Sequence, residues 1–228
     1  MPTRANALAI MAKAPAAGRV KTRLVPPLSY EQAAELYRAL LLDQLANLKN
    51  FTAAERYIAY APDDVEALMR DLGGSDYQYL PQRGDDLGAR MEHLFSDLQS
   101  RGHSRIILIG SDLPALPLQI LNDAFTRLSS PDTQVVLGPS EDGGYYLVGM
   151  NQPTAAIFEN MTWSHDRVLA QTTERLTRLG VGFGLTRRWF DLDTIDDLRR
   201  LLDPAVAAEI AAMPHTRSCL DSLRAWVA

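Results

Sequence analysis

The chain has 228 residues, 46% of them hydrophobic and 22% charged, enough to close one sizeable core. Its 23 basic residues against 28 acidic ones give a net charge of −5, which argues against a nucleic-acid binder held by a basic face. No run approaches the ~18 apolar residues of a membrane span, and the start MPTRANALAI lacks a secretory core and cleavage site, so the reading is a soluble, cytoplasmic protein with no membrane partner. The single Cys219 excludes an internal disulfide framework and any multi-cysteine metal site.

Apolar runs alternate with helical periodicity along the chain, the pattern of an α/β fold with a mainly parallel sheet. Ala7 to Met11 reads as a first strand, and Ser29 with Gln32 as a capping box opening a helix to about Leu48. Ala33, Leu36, Tyr37, Leu40, Leu41 and Leu45 recur at helical spacing on its buried face. A strand over Glu55 to Tyr60, a helix from Asp63 to Leu72 and a short strand over Tyr77 to Leu80 follow, then a helix from Leu87 to Gln99. Arg105 to Gly110 (RIILIG) is nearly all apolar, as suits a central strand buried on both faces. Beyond it come a helix over Leu118 to Leu128 and strands over Gln134 to Leu137 and Tyr145 to Met150, joined by a Gly-Gly turn. A helix over His165 to Leu179, a strand over Val181 to Thr186 and a capped helix over Thr194 to Leu202 complete the core. Residues 203–228 read as a helical appendage to a single domain spanning 1–228.

The charge is unevenly placed. Residues 1–30 hold Arg4, Lys13, Arg19, Lys21 and Arg23 and no acid, so the rest of the chain is more acidic than the total suggests. A basic island on an acidic protein points to a small anion held locally. Gly18, Arg19, Lys21 and Arg23 follow the first strand; in an extended loop the three alternating cations would face one way and suit a diphosphate or triphosphate. A solvated basic loop is the plainer alternative. The spacing is not that of a Walker A loop, because Arg19 and Val20 separate Gly18 from Lys21.

Asp112, in Gly110-Ser111-Asp112-Leu113-Pro114, stands where the strand RIILIG ends, a place for a hard divalent cation or for an ordinary Asx turn. In Ser140-Glu141-Asp142-Gly143-Gly144 the glycines make a turn and would let a sugar or base approach the backbone, with Asp142 as base or hydroxyl ligand. Asp191-Leu192-Asp193-Thr194 lies at a strand-to-helix boundary, with Asp193 or Thr194 as N-cap. Helix capping accounts for Asp196 and Asp197 but leaves Asp191 and Asp193 less well explained. A second carboxylate near Asp112 would complete a metal site. Trp163 could stack on a sugar face, and His165 or Asp166 could accept a proton, although Ser164 is also a natural N-cap there. Gly84 to Arg90 reads as a helix start that could reach the ligand.

Taken in order, AKAPAAGRVKTRL, GSDLP, GPSEDGGYYLVG, WSHDRVLAQT and FDLDTIDDL resemble a bacterial family of GT-A-like glycosyltransferases, over about residues 7–202. That family was long catalogued as a domain of unknown function, and some members are named as arsenosugar-biosynthesis glycosyltransferases. It is also similar to small nucleotidyltransferases such as the molybdenum cofactor guanylyltransferase and 2-phospholactate guanylyltransferase. The resemblance implies a three-layer α/β/α sandwich with a mostly parallel sheet, of the nucleotide-diphospho-sugar transferase kind. By motif, Gly18, Arg19, Lys21 and Arg23 would bind nucleotide phosphates, Asp112 and Asp193 would hold Mg²⁺ or Mn²⁺, and Asp142, Gly143 and Gly144 would border the sugar or acceptor pocket. Many GT-A enzymes carry Asp-x-Asp where this chain has Gly110 and then Asp112, and a single Asp is also the nucleotidyltransferase habit.

The leading expectation is therefore a metal-dependent transfer of a sugar from a nucleotide donor to a small acceptor, with Asp142 as base backed by Asp166 and His165. Its partners would be a nucleotide sugar or nucleoside triphosphate and a small-molecule acceptor. Nucleotidyl transfer with release of pyrophosphate is the second reading, and a non-catalytic nucleotide-binding protein the third.

Overall fold

The structure, a computed structural model, describes residues 6–203 and 211–227. One sheet holds β1 (Asn6–Lys13), β2 (Ala54–Ala61), β3 (Gln78–Pro81), β4 (Arg105–Gly110), β5 (Val135–Pro139), β6 (Tyr145–Met150) and β7 (Phe183–Leu185) in the order β3-β2-β1-β4-β6-β5-β7. All pairings are parallel except those of β6, which runs antiparallel to both β4 and β5. RIILIG is central as its composition requires, with Ile106 to Ile109 all buried.

Side chains alternate between the two faces of each strand, and each face has its own core. Leu8, Ile10, Ile107 and Ile109 pack under α1 (Tyr30–Leu48), α2 (Glu66–Gly73), α4 (Leu118–Arg127), α6 (Ile195–Leu202) and α7 (Pro214–Val227). Ala7, Ala9, Ile106 and Leu108 pack under α3 (Leu87–Ser100) and α5 (Val168–Leu179). The result is the three-layer α/β/α sandwich that the resemblance implies, built on the mainly parallel sheet that the alternating pattern predicts. Helix α1 contributes Leu36, Leu40, Leu41, Leu45 and Leu48, all almost fully buried, and each is worth roughly 1.5–3 kcal/mol of burial.

The helix ends follow local chemistry. Ser29 and Gln32 form the capping box of α1, with Gln32 N–H donating to Ser29 Oγ (3.2 Å) and Ser29 N–H to Gln32 Oε1 (2.8 Å). At α6 the cap is Thr194 rather than Asp193, and Asp197 closes the box. Within the appendage, residues 204–210 lie outside the described residues. Helix α7 is held at its start by buried Asp43 of α1, whose carboxylate accepts the backbone N–H groups of His215 (3.1 Å) and Thr216 (2.7 Å).

Three boundaries differ from the sequence expectation. Asp63–Val65 form a 3-10 turn before α2. Strand β7 is only Phe183–Leu185. Helix α5 begins at Val168, not His165, and Ser164 is not its cap: Ser164 sits at φ 65, in a turn that carries residues 164–167 against the Gly143 backbone before the helix opens. No helix among the described residues is long and apolar enough to cross a membrane.

Candidate active site

Strands β2 and β3 lie to one side of β1, and β4 to the other, so the strand order reverses between β1 and β4. Chains leaving two parallel strands in opposite directions open a crevice at their carboxyl ends, where α/β sheets bind ligands. A cleft of about 560 Å³ lies there.

The loop after β1 does not run extended. Gly18 turns at φ 73, Arg19 N–H closes onto Ala16 O (3.0 Å), and Lys21 itself is left-handed at φ 49 before a short 3-10 turn over Thr22–Leu24. For a residue with a Cβ that backbone costs about 1 kcal/mol. The three cations consequently part company. Arg19 and Arg23 stay exposed, and Lys21 turns inward with 2% of its side chain accessible.

Lys21 Nζ lies 2.9 Å from Asp112 Oδ2 and 2.9 Å from Asp193 Oδ1. Arg23 Nη1 reaches Asp193 Oδ2 at 3.5 Å. Burial alone would lower the Lys21 pKa; the two facing carboxylates outweigh it and raise the ammonium above its ordinary value. Each carboxylate is placed by backbone. Asp112 follows β4, and its carbonyl accepts Leu192 N–H at 2.9 Å, which ties the two carboxylate segments together. The neighbouring Trp189 adds an indole bond to Pro114 O (2.9 Å). From the α1 side, Tyr37 Oη accepts Lys13 N–H (3.0 Å) and lies 2.9 Å from Ser111 Oγ, whose proton is directed to Asp112 Oδ1 (3.4 Å). Burial, then the charge of Asp112, raises the Tyr37 phenol, so it stays a neutral donor.

Asp191 is the third acid near this point. Leu192 is fully buried between Asp191 and Asp193, and both carboxyls line the cleft. Burial pushes the Asp191 carboxyl up to about 7, opposed by a 2.5 Å bond from Ser140 Oγ, while Asp142, Asp112 and Asp193 push the same way as burial. The Ser140 to Gly144 turn joins β5 to β6. Asp142 Oδ1 accepts Gly144 N–H at 2.9 Å, so Asp142 is held with Oδ2 uncommitted. The opposite wall of the cleft is apolar and aromatic: Leu87, Met91, Tyr145, Trp163 and Val168, with Arg90 among them. Trp163 packs edge-on to Tyr145 at 6.4 Å.

Residues 44–165 match the family described as uncharacterized protein conserved in bacteria (DUF2064). The chain belongs to that family. Among solved structures it is similar to a candidate nucleotide-diphospho-sugar transferase from Desulfovibrio desulfuricans G20, at 27% identity and a TM-score of 0.83, over 96% of this chain and 98% of that one. It is also similar to CMP:2-keto-3-deoxy-manno-octonic acid synthetase complexed with CTP (14% identity, TM-score 0.53, 90% of this chain and 99% of that one). A cytidylyltransferase from Leptospira borgpetersenii matches at 10% identity and TM-score 0.56, over 97% of this chain and 94% of that one. In these last two the likeness is one of fold. Comparison with curated proteins gives no match. The α/β fold read from the strand and helix pattern thus takes the nucleotide-diphospho-sugar transferase form that the resemblance implies.

Of the residues singled out in the sequence, Arg19, Lys21, Arg23, Asp112, Asp142, Gly144, Trp163, His165 and Asp193 line the cleft. Gly18, Gly143 and Asp166 lie outside that lining. Gly18 shapes the loop, and Gly143 at φ 89 packs so closely that a Cβ there would stand 2.0 Å from Asp166 O. Asp166 serves through its backbone, its side chain exposed. His165 Nδ1 accepts Arg167 N–H (3.1 Å), so only Nε2 of this ring is left to face the cleft. Sequence reasoning passed over Tyr37 and Gln82, whose amide bridges Ala12 O (3.2 Å) and Ala59 O (2.8 Å) at the ends of β1 and β2. It left Asp191 without a role; the Asp-Leu-Asp alternation about a buried leucine was the available signal.

The donors fit a hard divalent cation. Asp112 and Asp193 present carboxylate oxygens to one point, which suits Mg²⁺ or Mn²⁺ completed by phosphate and water oxygens. Among the described residues no group of three or more His, Cys, Asp or Glu side chains forms a self-sufficient metal cage.

Proposed function

We propose that the chain transfers a sugar from a nucleotide-diphospho-sugar donor to a small acceptor, with the donor diphosphate at Arg19, Lys21 and Arg23 and the acceptor toward Trp163. The observation that carries this reading is the Asp112–Lys21–Asp193 cluster at the strand-order reversal, flanked by exposed arginines and opening onto an apolar, aromatic wall. The family membership and the 27%-identical neighbour support it.

Mg²⁺ or Mn²⁺ held by Asp112 and Asp193 would supply charge stabilisation for the departing nucleoside diphosphate. The protein's own groups account for the rest. Arg19 and Arg23 bind the phosphates as charge-assisted donors, and Lys21 adds a third cation where negative charge develops on the leaving group. The acceptor hydroxyl bonds to the anomeric carbon as the bond from that carbon to the phosphate oxygen breaks. Asp142 Oδ2 takes the hydroxyl proton, its Oδ1 being fixed by Gly144 N–H. Trp163 offers a ring face to sugar or acceptor, and His165 its Nε2.

Nucleotidyl transfer is a second reading, favoured by the single Asp112 after Gly110. There a substrate phosphate attacks the α-phosphorus and pyrophosphate leaves. The test is a product assay on nucleotide sugars, and on nucleoside triphosphates with sugar phosphates, with Mg²⁺ or Mn²⁺. Release of nucleoside diphosphate supports glycosyl transfer; pyrophosphate supports the second reading; binding without turnover leaves a binding protein. Asp112→Asn should cut turnover by at least ~100-fold, as removal of an electrostatic stabiliser does, in protein that still melts cooperatively but at a lower temperature, since Lys21 loses a charged partner. Full activity in that variant would remove Asp112 from the mechanism.

A further inference from the structure

We infer that Lys21 is the resident cation of the carboxylate pair, so that the site admits a divalent metal only as its complex with the nucleotide. This rests on the proposed function, which it extends to the form in which the ligand binds. The ammonium stands 2.9 Å from one oxygen of Asp112 and 2.9 Å from one oxygen of Asp193, with its side chain 2% exposed. Those are the oxygens a metal would share.

A buried ammonium needs acceptors, and the partly exposed carboxylates of Asp112 and Asp193, 35% and 37% accessible, supply them from the cleft side. Mg²⁺ coordinates oxygens at about 2.0–2.1 Å, so bare metal arriving between Asp112 and Asp193 would meet a positive charge already in place. It would have either to share the pocket with the ammonium or to expel it, unpaired, from a desolvated position. Neither is favourable. A diphosphate changes the balance, because its oxygens give Lys21 new acceptors on the cleft side while the metal it carries takes over the carboxylates. The backbone is arranged for the closed pairing: Lys21 is held left-handed at φ 49, between the Gly18 turn and the short Thr22–Leu24 helix, which aims the chain inward while Arg19 and Arg23 remain outside. Arg23, exposed and 3.5 Å from Asp193 Oδ2, can meet a phosphate without vacating the interior.

The two ligands should therefore bind with positive coupling, and by linkage the coupling is reciprocal. Titration of the wild-type protein with Mn²⁺, followed by water-proton relaxation enhancement, reports metal on the protein. Enhancement should be weak with Mn²⁺ alone. It should strengthen by about tenfold or more in apparent affinity when CDP, GDP, UDP or ADP, whichever raises the melting temperature in EDTA, is present. Lys21→Met should bind Mn²⁺ without nucleotide about tenfold more tightly than wild type, and should lose most of the coupling.

Wild-type protein that takes Mn²⁺ equally well with and without a nucleotide that demonstrably binds overturns the inference while leaving the function standing. If no nucleotide raises the melting temperature either in EDTA or with Mg²⁺, the function fails, and the comparison of Lys21→Met with wild type in Mn²⁺ alone still decides whether the lysine excludes the metal. Should Lys21→Met not fold, as judged by its melting curve, the wild-type comparison with and without nucleotide decides alone.

Discussion

Gly143 shows how much a single position can constrain the site. Its φ of 89 favours glycine, and a Cβ would stand 2.0 Å from Asp166 O, a backbone atom that cannot swing away. Gly143→Ala should therefore cost more than about 2 kcal/mol in denaturant unfolding, since strain and overpacking act together. It should also lower activity by moving Asp142. A near-wild-type midpoint would show that the 164–167 turn relaxes freely. At this scale the sequence disclosed residue types better than geometry. Asp112 was legible because it ends an unbroken apolar strand, and Asp193 because helix capping left it unexplained. The inward turn of Lys21 was not legible, because alternation predicts a common direction only for an extended chain, and Gly18 and Lys21 both take positive φ. Tyr37 reads as an ordinary member of a buried helix face, and only the Lys13 and Ser111 contacts distinguish it.

Helices and strands were legible wherever local chemistry marked both ends, as in α1 with its capping box. They were less so in α5, where a tertiary contact decides the start: Leu169 N–H donates to Gly143 O (3.0 Å), so the helix opens where it meets the turn and not where Ser164 would cap it. Helix α7 is tied to α1 by Asp43 in a comparable way, and its Cys219 is buried there. Burial, then the negative charge of Glu35, pushes that thiol up to about 11, so at pH 8 the reactive thiolate is scarce. Alkylation by iodoacetamide at pH 8 should accordingly be slow in the native protein. Asp43→Ala removes the N-terminal acceptor of α7, at a cost of about 1 kcal/mol, and should speed the labelling several-fold. Equal rates in the two proteins would mean that α7 docks through its apolar contacts alone.

For the molecule as a whole, the charge asymmetry acquires a direction. An acidic protein repels nucleotides at a distance, and a basic loop at the sheet's carboxyl edge offsets that field where the ligand must land. Because Arg19 and Arg23 are exposed and Lys21 is not, screening should act on the first two. Nucleotide affinity should fall as KCl rises, and the Arg19→Ala/Arg23→Ala double variant should bind several-fold more weakly with a flatter salt dependence. A slope unchanged by the double variant would place the steering charge elsewhere.

The reversal of β6 decides which segments meet at the ligand edge. Parallel strands need a helix to return the chain, so each delivers one loop to the ligand edge per crossover. Because β6 runs the other way, β5 leaves and β6 begins at that same edge, joined by the tight turn that holds Asp142, Gly143 and Gly144. That hairpin is pinned on both sides, Gly143 O accepting Leu169 N–H of α5 (3.0 Å) and Ser140 Oγ bonding Asp191 beyond β7 (2.5 Å). A single reversed strand thus lets one short turn draw α5 and the segment beyond β7 to the edge where Asp112 stands, with no crossover helix between them.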